Sequence, residues 1–505
     1  MRTTAKQLLI ATIFTLLTAS LPATTMAAPN SRAYGMGHPF VLKDLPFGNF
    51  RAHMETLPEP ARNRAMAWLH KFTFTEQDLA SLRLDNTGGV FYADSFTPLE
   101  AGTGNGGNSE PGSIESASST ADVFSLQSRP GSENILYLDF DGHLISGTAW
   151  SDTDLHALPY DTDDNPAAFS DAELANIAEI WRRIAEDFIP FDVNITTQEP
   201  AAFGPTVGRV LVTADTDAYG NAMPAQGAGG VAYVNVWGRA DYSSKYSPAL
   251  VYSNRLGGGR ADYIAEAASH EAGHNLSLSH DATGSSSYYG GHGSGNISWG
   301  PIMGTGYGRN VSQWSKGEYT DANNLQDDVA ILAGTLAARS DDHADGLAGA
   351  SRITVDAAGN VLATTPQDDP DNLAAGNKGA IGTATDLDVF YFDTTGGPVE
   401  LTVTPAWQDR YTRGANLDIH TAFYDAGGTL LQVADPLADT DSTLSANLPA
   451  GRYYLAIQGT GSSASPYSDY GSLGQYFITG TFPVVNDSVA PAPDPMSWNA
   501  PPETA

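Results

Sequence analysis

Not one of the 505 residues is a cysteine, although the chain opens with the pattern of an export signal. Disulfides persist in oxidising compartments, so an exported chain without them must rest on apolar burial, and no thiolate is available as nucleophile or metal ligand. Histidine and carboxylate remain for that chemistry. The signal reads over residues 1–28. Arg2 and Lys6 give the positive start, "LLIATIFTLL" the apolar run, and "TMAA" a small-residue exit near Ala27 or Ala28. A secreted protein is expected, free in the medium or periplasm. No membrane anchor is expected, because no later segment reaches the ~18 to 20 apolar residues that span a bilayer.

The length exceeds one ordinary domain, so a core domain with smaller satellites is expected. Acidic residues outnumber basic ones by 58 to 25, for a formal charge of −33, and no basic stretch offsets them. That balance argues against nucleic acid and anionic membrane surfaces as partners. Divalent cations fit it better.

Residues 29–99 alternate short helical and strand-like patterns, and residues 100–122 contain almost no large apolar residue. A small folded piece between a signal and a flexible linker reads as a removable prosegment, with an ordinary N-terminal domain as the alternative. Residues 123–338 then mix strands ("NILYLDFDG", "FDVNITT", "GRVLVTAD", "GVAYVNVWG") with two helices. The first begins in a capping box, Ser170 with Glu173, and carries Leu174, Ile177, Trp181, Ile184 and Phe188 at helical spacing. The second is "ADYIAEAASHEAGHNLSL". An α/β or α+β domain, a twisted mixed sheet with two long helices, is the economical fold. After a helix at "QDDVAILAGTLAA" and a linker at 339–350, residues 351–484 are strand-length segments between Gly, Asp and Asn turns, the pattern of an all-β sandwich. Residues 485–505 read as a disordered tail.

His270 and His274 stand four apart on the second helix, so both imidazoles project from one face and can share a tetrahedral ion. Glu271 lies off that axis but within reach of a water activated by the ion, where a general base belongs. His280 is the candidate third ligand, and the chain must leave the helix to bring it back. At this histidine content roughly one chain in several thousand carries such a pattern by accident, which favours the functional reading over a histidine-rich helix end. A purely structural site would fill four protein positions, whereas three ligands leave one open for catalysis.

"HEAGHNLSLSH" resembles the motif of the metzincin zinc peptidases, H-E-x-x-H-x-x-G-x-x-H, which a Met-turn follows downstream. The counterpart of that turn is "GPIMGTGYG", with Met303 as the apolar floor beneath the zinc. Asp281, directly after the third histidine, resembles the adamalysin or reprolysin branch, and bacterial reprolysin-like secreted peptidases are the nearest group. The resemblance covers about 130–338. It implies a zinc-dependent endopeptidase acting on protein or peptide substrates, with His270, His274 and His280 as ligands and Glu271 as general base, then general acid. Tyr307, four residues past Met303, could support the oxyanion as a tyrosine does in related families, with ordinary packing as the alternative.

Two departures stand out. Ser277 replaces the motif glycine at a position that needs positive φ, at a cost of about 1 kcal/mol. The cysteine latency switch of animal adamalysins is impossible here, so a latency device would need a carboxylate or backbone group on the zinc. "GVAYVNVWG" (230–238) is the candidate edge strand for an extended peptide, with an internal strand as the alternative. His292 is expected to shape a loop beside the site and not to ligate. The acidic runs at 160–165, 367–372 and 435–441 offer oxygens to structural calcium but lack the spacing of a defined calcium loop, so solvated turns are the default.

Residues 351–484 resemble the bacterial pre-peptidase C-terminal domain, on the D-x-D-x-F core at Asp386, Asp388 and Phe390 and on glycine-aromatic strands. That resemblance implies a role in secretion, in adhesion to a polymeric extracellular substrate, or in maturation. Exposed aromatics among Tyr453, Tyr454 and Tyr476 would favour binding, with packing in the core as the equal alternative. A non-catalytic secreted adhesion protein with a zinc centre, and a zinc hydrolase of non-peptide amides or esters, are the remaining alternatives.

Overall fold

The computed structural model describes residues 31–95 and 122–484, except 285 and 409. The expected signal and tail, and all but residue 122 of the expected linker, lie outside the described residues. Among the described residues no helix is long and apolar enough to cross a membrane.

The described strands are β1 Ala33–Gly35, β2 Thr73–Thr75, β3 Leu82–Leu84, β4 Val90–Asp94, β5 Ile135–Asp139, β6 His143–Ile145, β7 Leu155–Ala157, β8 Asn194–Thr196, β9 Val207–Thr213, β10 Gly230–Tyr233, β11 Ala249–Tyr252, β12 Trp299–Pro301 and β13 Val311–Gln313, followed by those of a C-terminal sandwich. The helices are α1 Asn49–Thr56, α2 Glu59–Leu69, α3 Asp171–Asp187, α4 Ala261–Asn275 and α5 Asp328–Leu336. The central sheet has the order β3-β4-β10-β11-β9-β5-β8. It is mixed: β8, β5, β9 and β11 run parallel, while β10, β4 and β3 each pair antiparallel with their neighbour. The expected mixed sheet with two long helices is therefore present, with two strands from the N-terminal region added to it.

Helix α3 starts where its capping box predicts. Ser170 Oγ accepts the Glu173 N–H and Glu173 Oε2 accepts the Ser170 N–H, which satisfies amide groups that a helix start leaves orphaned. Its stripe of Ile177, Trp181, Ile184 and Phe188 is buried. Helix α4 lies against α3 and across β9, β10 and β11. Small side chains, Ala265, Ala267, Ala268, Ala272 and Gly273, let it lie that close, and it is buried on nearly every face. One apolar core runs from Trp68 and Phe74 of the N-terminal region through Tyr92 and Ala232 to Leu278 and Met303.

The C-terminal β-sandwich has a separate core around Phe390, Phe392, Leu455 and Tyr476. One sheet runs in the order Ser351–Arg352, Asp388–Thr394, Gly451–Gly459, Ile419–Asp425, Leu430–Ala434; the other includes Asn360–Val361, Gly474–Thr481, Gly397–Pro405 and Ser442–Leu448. Tyr476 and Tyr453 are buried in it, so these two do not form an aromatic binding face. The sandwich docks on α3: Arg183 Nη2 donates to the Thr412 carbonyl (2.6 Å), Gln475 N–H to Glu186 Oε1 (2.9 Å) and Asn416 Nδ2 to Asp187 Oδ1 (2.9 Å).

The acidic runs noted in the sequence serve as caps and turn acceptors. Asp161 Oδ1 accepts the amides of Asp163 and Asn165, and Asp369 those of Leu373 and Ala374. Asp439 accepts Asn296 Nδ2 and the guanidinium of Arg413.

Candidate metal centre

Helix α4 carries His270 and His274 one turn apart and ends directly after them. The Ser277 N–H donates to the His274 carbonyl (3.0 Å) and the Leu278 N–H to the Gly273 carbonyl (2.9 Å), the paired bonds of a Schellman stop. That stop needs a residue of positive φ between them, and Ser277 takes φ +88, the strain expected at this departure from glycine. Ser277 Oγ donates to Asn235 Oδ1 (3.0 Å), a local compensation. The reversal returns His280 beneath the helix end.

All three imidazoles are fully buried. His270 Nδ1 lies 2.9 Å from the Ile302 carbonyl, His274 Nδ1 2.8 Å from the Leu278 carbonyl, and His280 Nδ1 3.2 Å from Ser81 Oγ. A carbonyl only accepts, so in His270 and His274 the proton sits on Nδ1 and the Nε2 lone pair is left for an ion, which is how ligand histidines are oriented. The Nε2 atoms of His274 and His280 are 3.2 Å apart. Two nitrogens bound to one tetrahedral zinc at about 2.0–2.1 Å are about 3.3 Å apart. The donor set and its spacing therefore fit zinc.

A fourth group joins them. Ligand atoms of Asp94, His270, His274 and His280 all lie within 4.8 Å of one another. Asp94 Oδ2 stands 3.1 Å from His274 Nε2 and 3.5 Å from His270 Nε2, and Oδ1 stands 3.1 Å from His280 Nε2. Tyr288 donates its hydroxyl to Oδ1 (2.8 Å). Burial opposes charge on Asp94, but the neighbouring imidazoles, His280 foremost, outweigh it and hold the carboxyl well below its ordinary range. His274 is also lowered, to about 3, by burial first, which for an imidazole favours the neutral form.

Glu271 is buried, and neither of its oxygens has a hydrogen-bond donor. Burial, with the charge of Asp94 beside it, raises its carboxyl well above the ordinary range. Strand β10 passes directly over it: a Cβ on Gly230 would lie 2.0 Å from Glu271 Oε1.

Met303 is fully buried, and a Cβ on Gly273 would lie 2.6 Å from its Sδ, so the side chain packs on α4 one residue before His274. Asp281 ties this turn to the motif, its N–H donating to the Met303 carbonyl (2.8 Å), and burial pushes its carboxyl up to about 8. Tyr307 packs edge-on against Tyr263 at 5.0 Å, and burial first, then Glu266 and Glu271, keep its hydroxyl protonated. His292 lies outside the cluster, its Nδ1 on the Tyr289 hydroxyl (2.8 Å) and its Nε2 on the Pro466 carbonyl (2.9 Å).

Sequence reasoning did not find Asp94, Tyr288 or Ser81. Asp94 precedes His274 by 180 positions and reaches it through sheet pairing, which leaves no local pattern to read. In this structure 230–238 takes the alternative, internal reading: β10 stops at Tyr233 and both of its sides are paired, with β11 and with β4 of the N-terminal region. Beyond it Asn235 takes φ +56, and its N–H turns to the His274 carbonyl (2.9 Å).

Comparison with known proteins agrees with this geometry. Residues 186–281, from the end of α3 through the third histidine and Asp281, match the family described as Metallo-peptidase family M12B Reprolysin-like. No curated protein matches the chain. Among solved structures, the pre-peptidase C-terminal domain of collagenase from Bacillus anthracis is similar at 13% identity, over 21% of this chain and 85% of that one, with a TM-score of 0.16. The sandwich is established by its own strand pairing and not by that likeness. The three-histidine site and the family match coincide: residues 186–281, which hold His270, Glu271, His274 and His280, are similar to the reprolysin-like metallopeptidases of family M12B.

Proposed function

We propose that the protein is a secreted zinc-dependent endopeptidase that hydrolyses peptide bonds of extracellular proteins. The observation that carries this reading is the convergence of His274 and His280 Nε2 at 3.2 Å beside His270, with Glu271 buried and without a donor next to them. His270, His274 and His280 would hold zinc. Bound there, zinc polarises a carbonyl and lowers the pKa of water towards about 7.

The residues of the chain supply the rest. Glu271 takes the proton of the attacking water and passes it to the departing amine, acting first as base and then as acid. Tyr288 and Tyr307 bring neutral hydroxyls to the same region, and we assign them support of the charge that develops on the carbonyl oxygen. Met303 and Asp281 keep the third histidine and the turn beneath it in register. Export rests on the sequence of residues 1–28.

The test incubates casein with the protein, both as the full chain and after digestion by an added protease that is then inhibited, with and without a zinc chelator. Cleavage that the chelator stops and zinc restores is expected, and Glu271→Gln should lower it by about 100-fold or more while keeping the metal. Proteolysis that survives Glu271→Gln would remove the assigned base.

A further inference from the structure

We infer that residues 31–94 are an inhibitor carried by the chain itself, in which Asp94 takes the fourth coordination position of the centre and β4 lies where an extended substrate would lie. The inference rests on the zinc reading above. Hydrolysis needs that fourth position open to water. A tetrahedral zinc sets its ligand atoms about 3.3 Å apart, and Asp94 Oδ2 meets His274 and His270 at 3.1 and 3.5 Å. It thus stands at the missing vertex, as a fully buried carboxyl facing three imidazoles.

The backbone around Asp94 is bound in the manner of an added strand. β4 pairs antiparallel with β10 in the register Asp94 with Gly230, Ala93 with Val231, Tyr92 with Ala232 and Phe91 with Tyr233. The Asp94 carbonyl also accepts the Gly229 N–H (2.7 Å). Strand addition of this kind takes its affinity from main-chain bonds and is open to a peptide of any sequence. The register puts Asp94 opposite Gly230, the residue that runs over Glu271, so the scissile bond of a substrate on the same track would lie between base and ligands. While β4 holds that track, no peptide can.

Other contacts fix the occupant. Tyr92 stacks on His274 at 4.0 Å between ring centroids, and its hydroxyl donates to Asp78 Oδ1 (3.0 Å), which also accepts the His280 N–H (3.2 Å). Ser81 Oγ meets His280 Nδ1, and Trp68 Nε1 donates to the Val234 carbonyl just past β10 (2.8 Å). Tethering in one chain makes the blocking contact intramolecular, which raises its effective concentration far above that of a free peptide.

The test uses the full chain loaded with zinc or cobalt, in a Glu271→Gln background that prevents self-digestion, with Asp94 intact or changed to Ala or Asn. Two readouts other than activity are taken: affinity for a peptide hydroxamate by calorimetry, and the visible spectrum of the cobalt form. The Asp94→Ala chain is expected to bind the hydroxamate about tenfold or more tightly than the intact one, because the open state no longer competes with a closed one. Its cobalt bands should shift as a carboxylate leaves the metal, and Asp94→Asn, which keeps the volume, should move both readouts the same way. Equal affinity and equal spectra in chains that all hold one metal would overturn the inference and leave the zinc reading standing. A chain that holds no metal in any form contradicts the zinc reading and takes the inference with it.

Discussion

Two regions flank the domain that carries the three histidines, and they meet it in opposite ways. The N-terminal region approaches the front: it pairs β4 with β10, sets Asp94 among the histidines and places Ser81 and Asp78 on His280. The sandwich approaches from behind: Arg183, Glu186 and Asp187 of α3 bond to it, and on the side of the site it meets the flanking loops and strand at His292, Asn296 and Gln313. Removing the first would expose the chemistry, whereas removing the second would strip support from the helix on which α4 lies. Burial alone does not distinguish them. Asp94 and Asp388 are both fully buried, yet imidazoles hold the one well below the ordinary carboxyl range, whereas burial and the acids Asp342 and Asp386 push the other up to about 9.

The largest expected effect lies at the front. Gly230→Ala would set a methyl group 2.0 Å from Glu271 Oε1, displacing the base and the strand together. A misplacement of about 1 Å at a reacting group costs on the order of 100-fold, so kcat on casein should fall by about that factor while zinc content holds. An unchanged kcat would mean that β10 does not define the base's position.

At the back, Arg183 is buried, pairs with Glu179 at 2.9 Å and reaches the Thr412 carbonyl. Arg183→Ala leaves buried Glu179 with only the more distant Arg410 at 3.5 Å and removes the bond to the Thr412 carbonyl, a loss of about 2 kcal/mol by denaturant unfolding. Turnover per folded molecule should stay the same, which separates buttress from site. A fall in turnover equal to that of Gly230→Ala would erase the distinction.

The third prediction concerns pH. The Asp388 carboxyl titrates at about 9 in the fold against an ordinary 3.8, so the folded sandwich keeps a proton that the unfolded chain has released. Its contribution is fully present below the unfolded value and is lost as pH rises through the window up to about 9. The unfolding midpoint of the sandwich should therefore fall across that window, and Asp388→Asn should flatten the slope. A stability that rises over the same range would contradict the assignment. The Asp94 carboxyl, depressed by its imidazoles, carries the opposite sign.

The smallest effect is at Ser277. Ser277→Ala keeps the positive φ and loses the bond to Asn235, whereas Ser277→Gly loses the bond and the strain. The glycine variant should be the more stable of the two by about 1 kcal/mol in thermal or denaturant unfolding.

What the sequence discloses follows from distance along the chain. His270, Glu271 and His274 are readable because one helix turn fixes their spacing, and Ser277 because the stop after that turn requires positive φ. His280 follows from the same stop. The capping box at Ser170 and the buried stripe of α3 are likewise local and match. Asp94 is not readable, since nothing near it in sequence announces a ligand and its approach is created by pairing between strands far apart in the chain. The end of β10 is hidden from the sequence for a related reason. The alternation in "GVAYVNVWG" continues past Tyr233, but the backbone at Asn235 is claimed by carbonyls at the end of α4.

The central claim is that His270, His274 and His280 hold one zinc, and it is tested most directly by metal analysis of the full chain beside His274→Ala after equilibration with zinc and dialysis. One zinc per intact chain and less than about a tenth of that in the folded variant is the predicted result, since a site reduced to two histidines and a carboxylate loses the tetrahedral set. Equal zinc in both proteins, or none in the intact chain, would contradict it.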